Sequence, residues 1–186
     1  MYTITQAERV VRIPPSDLSK SIEDVIDERA WESFEGKFGP DKKFIIAIRN
    51  VKPKGDGRIV HGDGAVYQTV EFDQLVCTFK EGEIIDGIVV QIAKYGAFIS
   101  IGPLDGLLHV SQIGDDVFDV DVVNKRIIGR EKGRTLIVGD KVRVRVISIS
   151  INEKVPKDSK IGLTTKQPGL GKPEWIAEDS KKKDSE

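Results

Sequence analysis

The sequence predicts two folded units of different class, an α+β unit over residues 1–80 followed by an all-β barrel over residues 81–167. Three observations lead there. One helical apolar stripe follows Pro14-Pro15, and segments rich in valine and isoleucine flank it. Around Lys80-Glu81-Gly82 that pattern gives way to close-set short strands separated by glycines. A chain of 186 residues is long enough for two such units, each with its own core.

Met1 to Ile13 alternates loosely, with Tyr2, Ile4, Val10, Val11 and Ile13 as apolar positions, and reads as a strand that Pro14-Pro15 stops. From Ser16 the spacing of Leu18, Ile22, Val25, Ile26, Arg29 or Ala30, and Phe34 predicts a helix, capped by Ser16 and ended by Gly36. Its stripe needs a sheet to pack on, and Phe44 to Val51 and Ala65 to Phe79 offer the strands. Between them Lys52 to Gly64 carries two Gly-Asp-Gly turns around a short extended piece, which predicts a hairpin tip projecting from the sheet. Such a tip is either a plain connection or a docking finger. Asp56 and Asp63 lack the spaced acidic run and terminal glutamate of a calcium loop, so no metal site is expected.

In the second unit Glu83 to Val90, Ala97 to Ile101, Leu107 to Val110, Lys141 to Ile149 and Lys160 to Thr164 make five strands, the number an OB barrel requires. Alternation in the fourth strand places Val142, Val144 and Val146 inside and Lys141, Arg143 and Arg145 outside. Residues from about 122 to 137 are expected to form an inserted hairpin. Residues 168–186 read as a C-terminal tail that ends in a polar, disordered run without core-forming residues.

Formal net charge is −1, so no global basic field advertises a nucleic-acid partner and any such site must be local. Local asymmetry exists: acidic residues dominate from Asp105 to Asp121, and basic ones from Lys125 to Arg145. The bland reading of this pair of runs is a solvated, mutually balanced face. A lone cysteine, Cys77, allows no disulfide within the chain. The start of the chain lacks a charged-then-apolar leader, and no apolar run is long enough to span a bilayer, so a cytoplasmic protein without membrane contact is expected.

The candidate chemistry is base stacking. Tyr95, Phe98 and His109 are flat rings on strand surfaces, and Lys94, Arg143 and Arg145 are cations able to meet phosphates, which together point to unpaired RNA. Serine at position 100 favours Phe98 outward, because the alternative parity would bury both Phe98 and Ser100. No catalytic set competes. Cys77 lies in an apolar strand, where a buried structural thiol is the expected state, and Gly55-Asp56-Gly57 is followed by neither a dinucleotide fingerprint nor a phosphate-loop lysine. No catalytic residue, metal or cofactor is expected.

Tyr95-Gly-Ala-Phe98, Gly106-Leu-Leu-His-Val-Ser111 and Val138-Gly-Asp-Lys-Val142, in that order, resemble the RNA-binding OB-fold repeat named after the largest protein of the bacterial small ribosomal subunit. The chain departs from that repeat after the fourth strand, where Ser150 and a longer loop through Asn152 to Lys160 replace the usual aspartate and arginine. Over residues 1–175 the opening Met-Tyr-Thr-Ile, Pro14-Pro-Ser-Asp-Leu18, Gly62-Asp-Gly-Ala-Val-Tyr67, Phe72-Asp73 and Ile127-Ile-Gly-Arg-Glu-Lys-Gly-Arg134 resemble the larger stalk subunit of archaeal RNA polymerase, a relative of the seventh subunit of eukaryotic polymerase II. The resemblance implies a truncated RNP-like sheet in the first unit and no active site in the chain itself. It also implies a small helical stalk protein as the other half of a heterodimer. Lys54, Gly55, Asp56, Gly57, Arg58, His61, Gly62, Asp63 and Gly64 would dock on the polymerase core, and Lys94, Tyr95, Phe98, His109, Arg143 and Arg145 would guide nascent single-stranded RNA. An exosome-cap protein or a free RNA-binding translation or chaperone factor would share the barrel.

Overall fold

The computed structural model describes residues 1–18 and 21–183 and divides into two compact units, Met1–Thr78 and Phe79–Glu186. In the first, β1 (Tyr2–Ile13), β4 (Val66–Cys77) and β2 (Phe44–Pro53) form an antiparallel sheet in the order β1-β4-β2, and the short β3 (Arg58–Ile59) also pairs with β4. The β1–β4 pairing runs unbroken from Tyr2 opposite Cys77 to Ile13 opposite Val66. Alternation along β4 turns Val70, Phe72 and Val76 to one face. There they meet Val25, Ile26 and Ala30 of α1 (Ile22–Phe34), together with Val11, Ile13, Ile45 and Ile48. Phe34 stacks on Phe72 with ring centroids 5.2 Å apart. Burying each such large side chain contributes roughly 1.5–3 kcal/mol, which is what holds one helix to one sheet in so small a unit.

The helix is shorter than its stripe suggests. Ser16 sits not at a helix cap but in a 3₁₀ turn, Pro15–Asp17, and α1 begins after Ser21. Asp17 explains the break: its carboxylate takes the Arg29 guanidinium, with Nε 2.9 Å away, and so folds the turn against the helix flank. Residues 19 and 20, inside the expected helix, lie outside the described residues. Leu18 and Ile22 stay exposed, and the other end stops as expected, with Gly36 at φ +70°.

The second unit is a closed barrel of β5 (Ile84–Ala93), β6 (Gly96–Ser100), β7 (Asp105–His109), β11 (Lys141–Ser150) and β12 (Lys160–Thr164), in the order β11-β12-β7-β6-β5. All pairs are antiparallel except β12 with β7. Val142, Val144, Val146, Ala97, Ile99, Leu108, Ile161 and Leu163 fill the interior. The insertion is a three-stranded sheet rather than a hairpin: β8 (Phe118–Asp121), β9 (Arg126–Gly129) and β10 (Thr135–Ile137). Its acidic and basic runs neutralise each other, Arg126 pairing with Asp121 and Arg130 with Asp119.

The C-terminal segment is not a bare tail. Leu170 and Trp175 are buried, and α2 (Pro173–Lys183) follows. The Arg134 guanidinium lies 5.5 Å from the Trp175 ring and pairs with Asp179, while Lys172 reaches Asp140 at 2.9 Å. Gly171 and Arg143 exchange backbone hydrogen bonds of 2.8 and 2.9 Å, which ties the segment to the edge of β11. Residues 184–186, the end of the expected disordered run, lie outside the described residues. Among the described residues no helix is long and apolar enough to cross a membrane.

Candidate nucleic-acid interface

The aromatic site begins with a glycine. A Cβ at Gly96 would overlap the Leu108 carbonyl oxygen, so only glycine lets β6 lie this close to β7 at the tight β5–β6 turn. That turn lifts Lys94 and Tyr95 into solvent, and the parity of β6 then buries Ala97 and Ile99 and turns Phe98 and Ser100 outward. Tyr95, half exposed, meets Phe98 edge to face at 6.1 Å and 82°. Beside them Asp105 and Leu107 of β7, Gly162 and Lys160 of β12, and Ser148 and Ser159 line a groove of about 450 Å³. His109 is exposed at the end of β7, opposite Gly96. Its Nδ1 accepts from the Ser111 N–H at 3.2 Å, which leaves Nε2 to carry the proton of the neutral ring and face outward as a donor.

The expected cations are only partly assembled. Lys94 shares the Tyr95 turn, but Arg143 does not join the groove. It forks onto Asp86 across the β5–β11 pair, Nε to Oδ1 at 2.7 Å and Nη2 to Oδ2 at 3.1 Å, and this hydrogen bonding holds the Asp86 carboxyl below its ordinary range. Both residues line a second depression of about 710 Å³ with Pro173, Ile176 and Ala177 of α2. Arg145 is half-buried, lines neither space, and has no acceptor for its buried Nε among the described residues. Lys160 takes their place beside the aromatics. The β12 alternation, with Ile161 and Leu163 buried, was the signal that would have turned Lys160 outward.

In the first unit the tip is two features. Lys54 to Gly57 bulge between β2 and β3, and Val60 to Ala65 turn from β3 into β4. Gln68 pins the bulge, its Nε2 donating to the Gly55 carbonyl at 3.0 Å and the Thr69 carbonyl at 2.9 Å, and Lys54 reaches Glu8 at 2.6 Å. Asp63 anchors the turn: Arg12 Nε donates to it at 2.9 Å and Tyr67 Oη at 2.6 Å, which hold its carboxyl down at about 2. Asp56, Arg58 and His61 are exposed. Beside the bulge, Leu18, Ile22, Val25, Gly57, Ile59 and Val66 border a mostly apolar hollow of about 240 Å³. Cys77 is buried at the end of β4, as a structural thiol would be.

Comparison with known proteins gives both units a family. Residues 8–64 match the SHS2 domain found in the N terminus of Rpb7p/Rpc25p/MJ0397, and residues 78–156 match the S1 RNA binding domain. The DNA-directed RNA polymerase subunit Rpo7 of Saccharolobus shibatae is 39% identical over 183 residues, covering 97% of this chain and 100% of the relative. The chain belongs to the Rpo7 family. Rpo7 of Sulfolobus acidocaldarius is 38% identical over 95% of each chain. RNase R of Mycoplasma genitalium aligns in structure over 45% of this chain and 13% of its own, at a TM-score of 0.37 and 21% identity. The Rpo7 match spans both units, and the comparisons do not favour the exosome-cap or free RNA-binding alternatives.

Proposed function

We propose that this chain is the larger stalk subunit of an archaeal RNA polymerase, working in the cytoplasm as a heterodimer with a small helical stalk protein and leading emerging single-stranded RNA across its barrel. The first unit docks on the polymerase core through the Lys54–Gly64 tip, which includes the exposed Ile59, and through the exposed Ile22. The observation that carries the RNA reading is the groove in which Tyr95 and Phe98 stand next to Lys160 on one outer face. Rings of this kind stack on any base for roughly 1–3 kcal/mol each, and a lysine beside them neutralises a phosphate.

The test is binding of a short single-stranded uridine RNA, measured by fluorescence anisotropy across a salt series. Phe98→Ala weakens binding by about 1–3 kcal/mol at every salt concentration. Lys160→Ala weakens it most at low salt and flattens the logarithmic salt slope by about 0.7. Identical affinity and slope in both variants would move the RNA path off this face.

A further inference from the structure

We propose that the groove over β6, β7 and β12 prefers RNA that presents a guanine, and that Asp105 sets the preference, a proposal that rests on the RNA-binding reading above. Asp105 opens β7 opposite Ser100 of β6, and the register that pairs Phe98 with Leu107 sets it diagonally across from the Phe98 ring. Diagonal neighbours on one sheet face lie within reach of long side chains and of a ligand stacked on either. Its side chain points outward with those of Leu107 and Phe98, into the same groove. Four other carboxylates of the barrel unit are engaged by arginine: Asp86 by Arg143, Asp119 by Arg130, Asp121 by Arg126 and Asp179 by Arg134. Asp105 has no hydrogen-bond or ion-pair partner among the described residues. Lys160 lies at the same end, since the parallel register places Ile161 beside Gly106, yet it forms no ion pair with Asp105.

A bare carboxylate in an RNA groove repels phosphates unless a base donates to it. An exposed carboxylate offers acceptors alone, two oxygens side by side. Among the four bases only guanine carries two adjacent donors, N1–H and the N2 amino group, on its pairing edge. Adenine and cytosine place an acceptor beside their single amino group, and uracil flanks its N3–H with two carbonyls. A guanine stacked on Phe98 therefore presents a matching fork to Asp105 while Lys160 takes the flanking phosphate. The other bases leave acceptor facing acceptor.

The test uses the full-length protein and anisotropy with a short uridine-only RNA and with otherwise identical RNAs carrying one central guanosine, inosine, adenosine or cytidine. The wild-type protein binds the guanosine RNA roughly tenfold more tightly than the adenosine, cytidine or uridine RNAs. Inosine, which lacks the N2 amine, falls between. Asp105→Asn and Asp105→Ala both lose the preference and bind the uridine RNA at least as tightly as wild type, because a repulsive charge is gone. Wild-type binding without a base preference, or a preference that survives in both variants, overturns the assignment to Asp105. Failure of the wild-type protein to bind any of the RNAs removes the RNA-binding reading itself, and this proposal with it.

Discussion

Asp63 shows how one side chain can organise a loop. Its carboxyl receives Arg12 from β1 and Tyr67 from β4, so the turn after β3 is tied to two strands at once. Those donors, Arg12 first, hold it at about 2, below the ordinary value of 3.8. The folded tip thus favours the ionised form: its contribution is complete above about pH 4 and is lost as the pH falls through the folded value near 2. Observed by NMR, the amides of Gly62 and Gly64 shift together with a midpoint near 2, and Asp63→Asn abolishes that step. A midpoint at or above 3.8 would mean that the anchor does not form in solution. The neighbouring glycines act by two different means. Gly55, Gly62 and Gly64 have φ of +69°, +93° and +66°, where a side chain costs about 1–2 kcal/mol. Gly57 does not, although its Gly-Asp-Gly setting suggested the same role. A Cβ there would stand 2.6 Å from Val66 Cγ1, so its constraint is the closeness of β4.

At the scale of elements, what the sequence made legible was whatever depends on local period. The parity of β6 put Phe98 outward, and the alternation in β11 put Val142, Val144 and Val146 inside, because a strand repeats every two residues regardless of its neighbours. Pairings across the chain were not legible. Nothing near Arg143 announces that Asp86, 57 residues earlier, will occupy its guanidinium. The α2 helix was hidden for a related reason: Leu170, Trp175 and Ile176 are sparse apolar residues in a charged stretch, and only Gly171 backing onto Trp175 and Arg134 covering its ring make a core of them. Trp175→Ala therefore removes about 3–5 kcal/mol of packing from the docked segment. Hydrogen exchange checks it: amides of α2 lose protection while those of β6 and β7 keep theirs. Unchanged exchange in α2 would show that the ion pairs of Arg134 and Lys172 and the backbone bonds between Gly171 and Arg143 suffice to hold it without the indole.

At the scale of the whole chain, a net charge of −1 leaves no general attraction for RNA, and the two proposed contacts lie in different folded units, each with its own core. Docking depends on the first unit's tip and its apolar border; RNA depends on a ring pair and a lysine in the second. The defects should therefore separate. Ile59 is 72% exposed, so Ile59→Asp adds a charge to the docking border without emptying any part of the core. Its expected effect is loss of the protein from polymerase retained on a column at moderate salt, while affinity for single-stranded RNA and the melting temperature stay at wild-type values. Phe98→Ala gives the opposite pattern, full retention with weakened RNA binding. A variant in either unit that lost both activities while remaining folded would mean that polymerase and RNA are engaged through one shared surface, and the division of labour between tip and barrel would have to be abandoned.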